Sequence, residues 1–180
     1  REGFALLRLQ STAADRPRVL LVHGWAGDAL QMRPLGEALA GAGFDPVLMD
    51  LPAHGRGAGW RCTMPQIVRS LFEAESRAGP FDAVVAHSMG AVASLHAMAH
   101  GLRARRLVAL APSSPPASVL RWFGEALGLR HELLARMRAR IETHEAMALE
   151  QFEAPWLGMR VTAPVLLVHD RADRMAPLAN

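Results

Sequence analysis

The chain has 180 residues, 51% of them hydrophobic, and a formal net charge of +3. That length suits one domain with a sizeable core, and the composition excludes an intrinsically disordered chain. No apolar run reaches the roughly 18 residues of a membrane span, and the single cysteine, Cys62, rules out an internal disulfide and fits a reducing cytoplasm.

In chain order, R-E-G-F-A-L-L-R-L-Q opens the sequence. Its apolar stretch is too short for a signal peptide and carries no cleavage pattern. It also lacks an initiator methionine, so we expect an excised or processed piece of a longer product. F-A-L-L-R-L (4–9) reads as an edge strand and V-L-L-V-H (19–23) as a short buried strand stopped by Gly24. Q-M-R-P-L-G-E-A-L-A-G-A-G (31–43) has helical spacing at Leu35 and Leu39 and ends in glycine. P-V-L-M-D (46–50) is a second buried strand. T-M-P-Q-I-V-R-S-L-F-E-A-E-S (63–76) opens with a capping threonine and an early proline, then shows helical period at Ile67, Val68, Leu71 and Phe72.

D-A-V-V-A-H (82–87) is a third central strand, followed by a helix of small residues over 89–100. The basic run R-A-R-R (103–106) has no interleaved aromatics and reads as a solvated helix end, not a nucleic-acid patch. L-V-A-L-A-P (107–112) and P-V-L-L-V-H-D (164–170) are the remaining strands. Continuous apolar strands alternating with helices predict an α/β, doubly wound, mostly parallel sheet covered on both faces. Residues 113–158 break the rhythm with helical runs at 121–127 and 131–142 and no strand. We expect a core of 1–112 and 159–180 with 113–158 inserted as a helical cap over the carboxyl edge of the sheet.

Ligands of such sheets sit beyond the carboxyl ends of the strands. A-V-V-A-H-S-M-G-A (83–91) puts Ser88 at one of these ends, between a strand and a helix. A tight turn there presents the side chain outward and aims the first helical N–H groups at the same point. It crowds the positions two before and two after the serine, and Ala86 and Gly90 are both small. This is the nucleophile-elbow pattern G-x-S-x-G with alanine in the first glycine's place.

On these residues the chain resembles the α/β-hydrolase superfamily, in its serine esterase and lipase-like branch, along most of its length. The resemblance carries two further motifs. H-G-W-A-G (23–27) is similar to the family's oxyanion loop, which implies oxyanion-hole N–H groups at Trp25 and, after the nucleophile, Met89. It also implies that His23 braces the loop. D-L-P-A-H-G-R-G (50–57) is similar to the family's architectural D-x-P-G-H-G-x-S loop, with Ala53 and Gly57 as departures. Neither G-x-G-x-x-G nor a P-loop lysine is present, so nucleotide binding is not expected.

H-D-R-A-D-R-M-A-P (169–177) resembles the family's acid loop, commonly G-x-x-D-x-x-x-P. Asp173 matches the acid and Pro177 the proline. Asp170 stands in the glycine's place and is the alternative acid. The family order is serine, acid, histidine, yet no histidine follows Asp173. Two explanations stand: the histidine lies beyond residue 180, or one of the eight in the chain serves from an unusual place. His87, His54, His131 and His144 are the candidates for that role. His96 and His100, at i, i+4, have a metal-like spacing but no third ligand in the sequence, so no metal is expected.

The expectation is a cofactor-free serine hydrolase acting on a carboxylic ester or thioester. Its partner is a small-molecule acyl substrate with an apolar group, with no nucleic acid and no membrane span. Trp122, Phe123 and Trp156, with Leu127, Leu133, Leu134 and Met137, would line an apolar pocket or merely pack the cap onto the body. A non-catalytic binding protein on the same fold is the competing reading.

Overall fold

The structure, a computed structural model, describes residues 3–9, 15–174 and 176–177. Six strands form one sheet in the order β1-β3-β2-β4-β5-β6. β2 (Arg18–Val22), β3 (Asp45–Asp50), β4 (Ala83–His87), β5 (Leu107–Leu110) and β6 (Val165–Val168) run parallel. β1 (Ala5–Arg8) pairs antiparallel with β3 at one edge. Among the described residues no helix is long and apolar enough to cross a membrane.

Period-two alternation decides which side chain meets which helix layer. Leu20, Val22, Val47, Met49, Val84 and Ala86 join one core cluster, with Ile67 and Leu71 of α2 (Met64–Ala78) and Ala91 and Val92 of α3 (Met89–Ala99). Val19, Leu21, Leu48 and Val85 form the other, with Met32. The helix expected from residue 31 starts as a 3-10 turn (Ala29–Met32), capped by Asp28, whose carboxylate accepts from the Gln31 amide. It continues as α1 (Arg33–Gly41). Of the expected leucine face, Leu39 packs against the second core cluster while Leu35 is exposed, and α1 meets the sheet most closely at Gly36. A Cβ there would stand 2.9 Å from Leu9 and 3.1 Å from Leu48, so the close approach needs the glycine. α2 starts as its sequence dictates: Thr63 and Gln66 form a reciprocal capping box with proline in the first turn.

Residues 113–158 fold as α4 (Pro116–Ala126), α5 (His131–Glu145), a 3-10 turn (Leu149–Phe152) and α6 (Ala154–Gly158). α4 and α5 meet at Gly124, where any Cβ would run into Leu134. α5 buries no residue, whereas Leu149, Phe152 and Leu157 return to the body. R-A-R-R lies in the connection from α3 to β5 and not on a helix end. There Arg103 pairs with Glu75, and Arg105 with Asp82 at 3.5 Å.

β6 differs from the other parallel strands. Its four residues, V-L-L-V, are 41–59% exposed, with Val165 and Leu167 on one face and Leu166 and Val168 on the other. Among the described residues its only strand neighbour is β5.

Candidate active site

Ser88 joins β4 to α3 with φ +52° and ψ −122°. A non-glycine residue there stores on the order of 1–3 kcal/mol, so the surroundings must over-determine it. They do so from three sides. The Ser88 amide donates to the Leu110 carbonyl of β5 at 2.9 Å. Its carbonyl accepts from the Ala91 amide at 3.0 Å, beginning α3. Gly90 abuts the end of β2: a Cβ there would collide with the His23 carbonyl and lie 2.9 Å from Val22. Ala86 is fully buried in the core, so its extra methyl is absorbed as packing.

The 23–27 loop lies directly against the serine. A Cβ on Gly24 would stand 2.8 Å from Ser88 Cβ and 3.4 Å from Ser88 Oγ. His23 is buried; its Nδ1–H donates to the Gly24 carbonyl at 2.7 Å, and its Nε2 accepts from the Leu51 amide at 3.0 Å. Burial lowers its pKa, which keeps it neutral and fit to bridge the two loops. Trp25 follows, 63% exposed, with its ring edge-on to His54.

The 50–57 loop locks this arrangement. Buried Asp50 accepts from the Ala29 amide at 2.7 Å and the Arg56 amide at 3.1 Å. Ala53 takes φ +58°, a conformation that glycine adopts more easily, which gives its departure from the family pattern a conformational cost. Gly57 leaves no room for a side chain, since a Cβ would strike the Leu51 carbonyl.

At the end of β6, Asp170 is exposed and accepts from the Ala172 amide at 2.9 Å, closing a local turn. Asp173 is more enclosed, with its side chain 21% exposed; Oδ1 accepts from the Ala176 amide at 2.9 Å. His169, its side chain 7% exposed, donates from Nε2 to the Ala176 carbonyl at 2.6 Å and lies 3.9 Å from Asp173 Oδ2.

A family model described as "alpha/beta hydrolase fold" matches residues 17–180. The chain belongs to this family. Solved structures agree on the fold of this α/β hydrolase. Est1E from Butyrivibrio proteoclasticus, with ferulic acid bound, aligns over 98% of the chain and 78% of its own at 17% identity and TM-score 0.70. Alpha/beta hydrolase domain-containing protein 10 from mouse aligns over 97% and 75% at 16% identity and TM-score 0.67. The monoacylglycerol lipase of Paleococcus ferrophilus aligns over 97% and 80% at 20% identity and TM-score 0.66. No curated protein matches the chain.

The histidines of this α/β hydrolase have definite places. His54 donates from Nδ1 to the Pro52 carbonyl at 2.8 Å and accepts at Nε2 from the Ala26 amide at 3.1 Å. It is a loop brace like His23. His87 is exposed beside the elbow, its Nδ1 3.0 Å from where a Gly24 Cβ would stand. His131 and His144 lie exposed on α5. His96 is buried, its pKa lowered by burial, with Nε2 3.1 Å from Gln151 Oε1. Its ring stacks between Phe152 at 4.4 Å and His100 at 4.2 Å. His100 in turn stacks on Trp156 at 5.3 Å, and Arg160 covers Trp156. This pair therefore packs the 113–158 segment onto α3. Among the described residues no three His, Cys, Asp or Glu side chains gather as metal ligands. Cys62, the other candidate nucleophile by residue type, has its thiol pushed up to about 11 by burial, which leaves it protonated and unreactive.

Three aromatic residues had been expected to line a pocket. Trp156 is engaged in the ring stack, Phe123 is half exposed on α4, and Trp122 is partly buried. An open cavity of about 460 Å³ lies instead between α3, α6 and β6, walled by Val92, Leu95, Phe152, Leu157, Leu167 and His169. His169 and Asp50 are the polar residues that the sequence reading left without a role. The alternation Val165, Leu167, His169 was the available signal for the first, since it carries the histidine to the α3 face of β6.

Proposed function

We propose that the protein is a serine hydrolase that cleaves a carboxylic ester or thioester through an acyl-enzyme. The observation that carries this reading is the strained backbone of Ser88, wedged between Gly24 and Gly90 at the carboxyl edge of the sheet. A helix cap needs no such strain; a presented nucleophile does.

In this reading Ser88 Oγ attacks the acyl carbonyl while an imidazole takes its proton. The tetrahedral oxyanion is held by the N–H groups of Trp25 and Met89. Met89 is the first residue of α3, so its amide has no acceptor within the helix. Each such donor is worth about 3 kcal/mol in the transition state. Collapse expels the alcohol or thiol, which receives the proton, and water then releases the acyl group by the reverse sequence. Asp173 orients the imidazole and stabilises its cation. Its partial enclosure favours it over the exposed Asp170. We assign the base to a histidine following Asp173 in the family's chain order, because His23, His54, His96 and His100 are hydrogen-bonded as braces or packing. Residues 113–158 act as a cap, and the acyl substrate carries an apolar group. The chemistry requires no cofactor, and a cytoplasmic setting suits the lone buried thiol.

The test is fluorophosphonate labelling of the protein expressed to its natural stop codon, with the modified residue mapped by mass spectrometry. Label on Ser88, abolished in a folded Ser88→Ala variant, is the expected result. A folded protein that takes no label would overturn the assignment and favour a binding protein on a hydrolase fold.

A further inference from the structure

His169 directly follows β6, with its ring almost fully enclosed on the side that faces α3. Its Nε2–H donates to the Ala176 carbonyl at 2.6 Å. The same residue, Ala176, donates its own N–H to Asp173 Oδ1 at 2.9 Å. Ala176 is buried and thus links the ring and the carboxylate by two hydrogen bonds of opposite sense. Two local hydrogen bonds shape the start of this loop: the Ala172 amide donates to the Asp170 carboxylate at 2.9 Å and the Asp173 amide to the Asp170 carbonyl at 3.2 Å. The bond from His169 ties Ala176 to the end of the last strand.

From this geometry we infer that His169 is a positioning residue for the acid: through Ala176 it fixes where the Asp173 carboxylate stands relative to the incoming imidazole. The inference rests on the reading of Asp173 as the acid. The ring does not act as the base, because the nitrogen nearest the carboxylate carries the proton given to Ala176. A carboxylate orients an imidazole only at a defined distance and angle, and a shift of about 1 Å costs up to roughly a hundredfold in rate. Removing partners that orient a reacting group typically costs about 10- to 100-fold.

The experiment is the rate of Ser88 fluorophosphonate labelling in the protein expressed to its natural stop codon, across variants at 169 and 173. His169→Leu fills the space without a donor and is expected to cut the maximal labelling rate about 10- to 100-fold, with half-saturation shifted less than about twofold. His169→Gln carries an N–H at the position of Nε2 and is expected to recover most of that loss. In an Asp173→Asn background, His169→Leu is expected to add nothing further, because a residue that acts through the acid has no effect once the acid is gone. A His169→Leu protein that labels at the wild-type rate, or a His169→Gln protein as slow as His169→Leu, would overturn the inference. Should His169→Leu not fold, His169→Gln against His169→Asn makes the same comparison, since only the longer amide reaches Ala176. If Asp173→Asn itself labels at the wild-type rate, the reading of the acid fails instead, and the two failures are told apart.

Discussion

Around Ser88, close packing leaves no spare volume: Gly24 lies against the serine side chain, Gly90 against the backbone at the end of β2, and Ala86 is sealed in the core. Around Asp173, the loop hangs from a strand whose four residues are all exposed, and side-chain hydrogen bonds from His169, Asp170 and Asp173 give it its shape. The Ser88 side is thus fixed by excluded volume and the Asp173 side by directional bonds. Excluded volume fails all at once when a methyl is added. Directional bonds can be removed singly, each with a graded effect.

The sharpest break of this contrast is Gly90→Ala. Its Cβ would meet backbone that cannot swing aside, so we expect a loss of about 3 kcal/mol or more in urea titration, together with the loss of Ser88 labelling. Gly24→Ala is expected to do less to stability, because its nearest neighbour is a side chain. It should still slow labelling by about a hundredfold by displacing Ser88. An equal effect of the two on stability would show that the loop and the helix start are one rigid unit.

Acid tests the buried imidazoles on the rigid side. His23 and His96 both have pKa values lowered by burial, so the unfolded chain takes up protons on them before the folded chain does. Their contribution is complete above about pH 6.5 and is lost as pH falls through their folded values. Melting temperature is expected to drop between about pH 7 and about pH 5, and less steeply in His96→Gln. Relief of strain comes next in size: Ser88→Gly is expected to gain up to about 1 kcal/mol while Ser88→Ala gains nothing, read by urea titration. The smallest effect belongs to β6. Leu166 is 59% exposed, so Leu166→Lys in the 180-residue chain is expected to change stability by less than about 0.5 kcal/mol.

The same contrast explains what the sequence could reveal. The alternation of parallel strands with helices, the capping threonine at 63 and the tight strand-to-helix turn at Ser88 were readable, because small residues and glycines at fixed spacing leave few geometries open. The face of α1 was only half legible: Leu39 packs as its spacing predicts, but the closest contact is made by Gly36, a residue with no hydropathy signal, while Leu35 points outward. The place of the aromatic residues of 113–158 was left open for a related reason. Their apolar character foretold burial of some kind, but only the positions of His96 and His100 decided that Trp156 would stack there. His169 escaped notice because its partner is the carbonyl of an alanine, which no side-chain pattern announces.

The contact between Gly24 and Ser88 bears on how this protein can be altered. Residues from two separate stretches of chain occupy one another's space, so neither the 23–27 loop nor the 86–90 turn offers an independent position for enlargement. A mutational library that randomises one while holding the other would return mostly dead variants whatever the substrate. One aimed at the exposed positions of α5, a helix that buries no residue, can be large and still fold. Variation in what this scaffold accepts is therefore best sought in its helices, with both loops held constant as a single cassette.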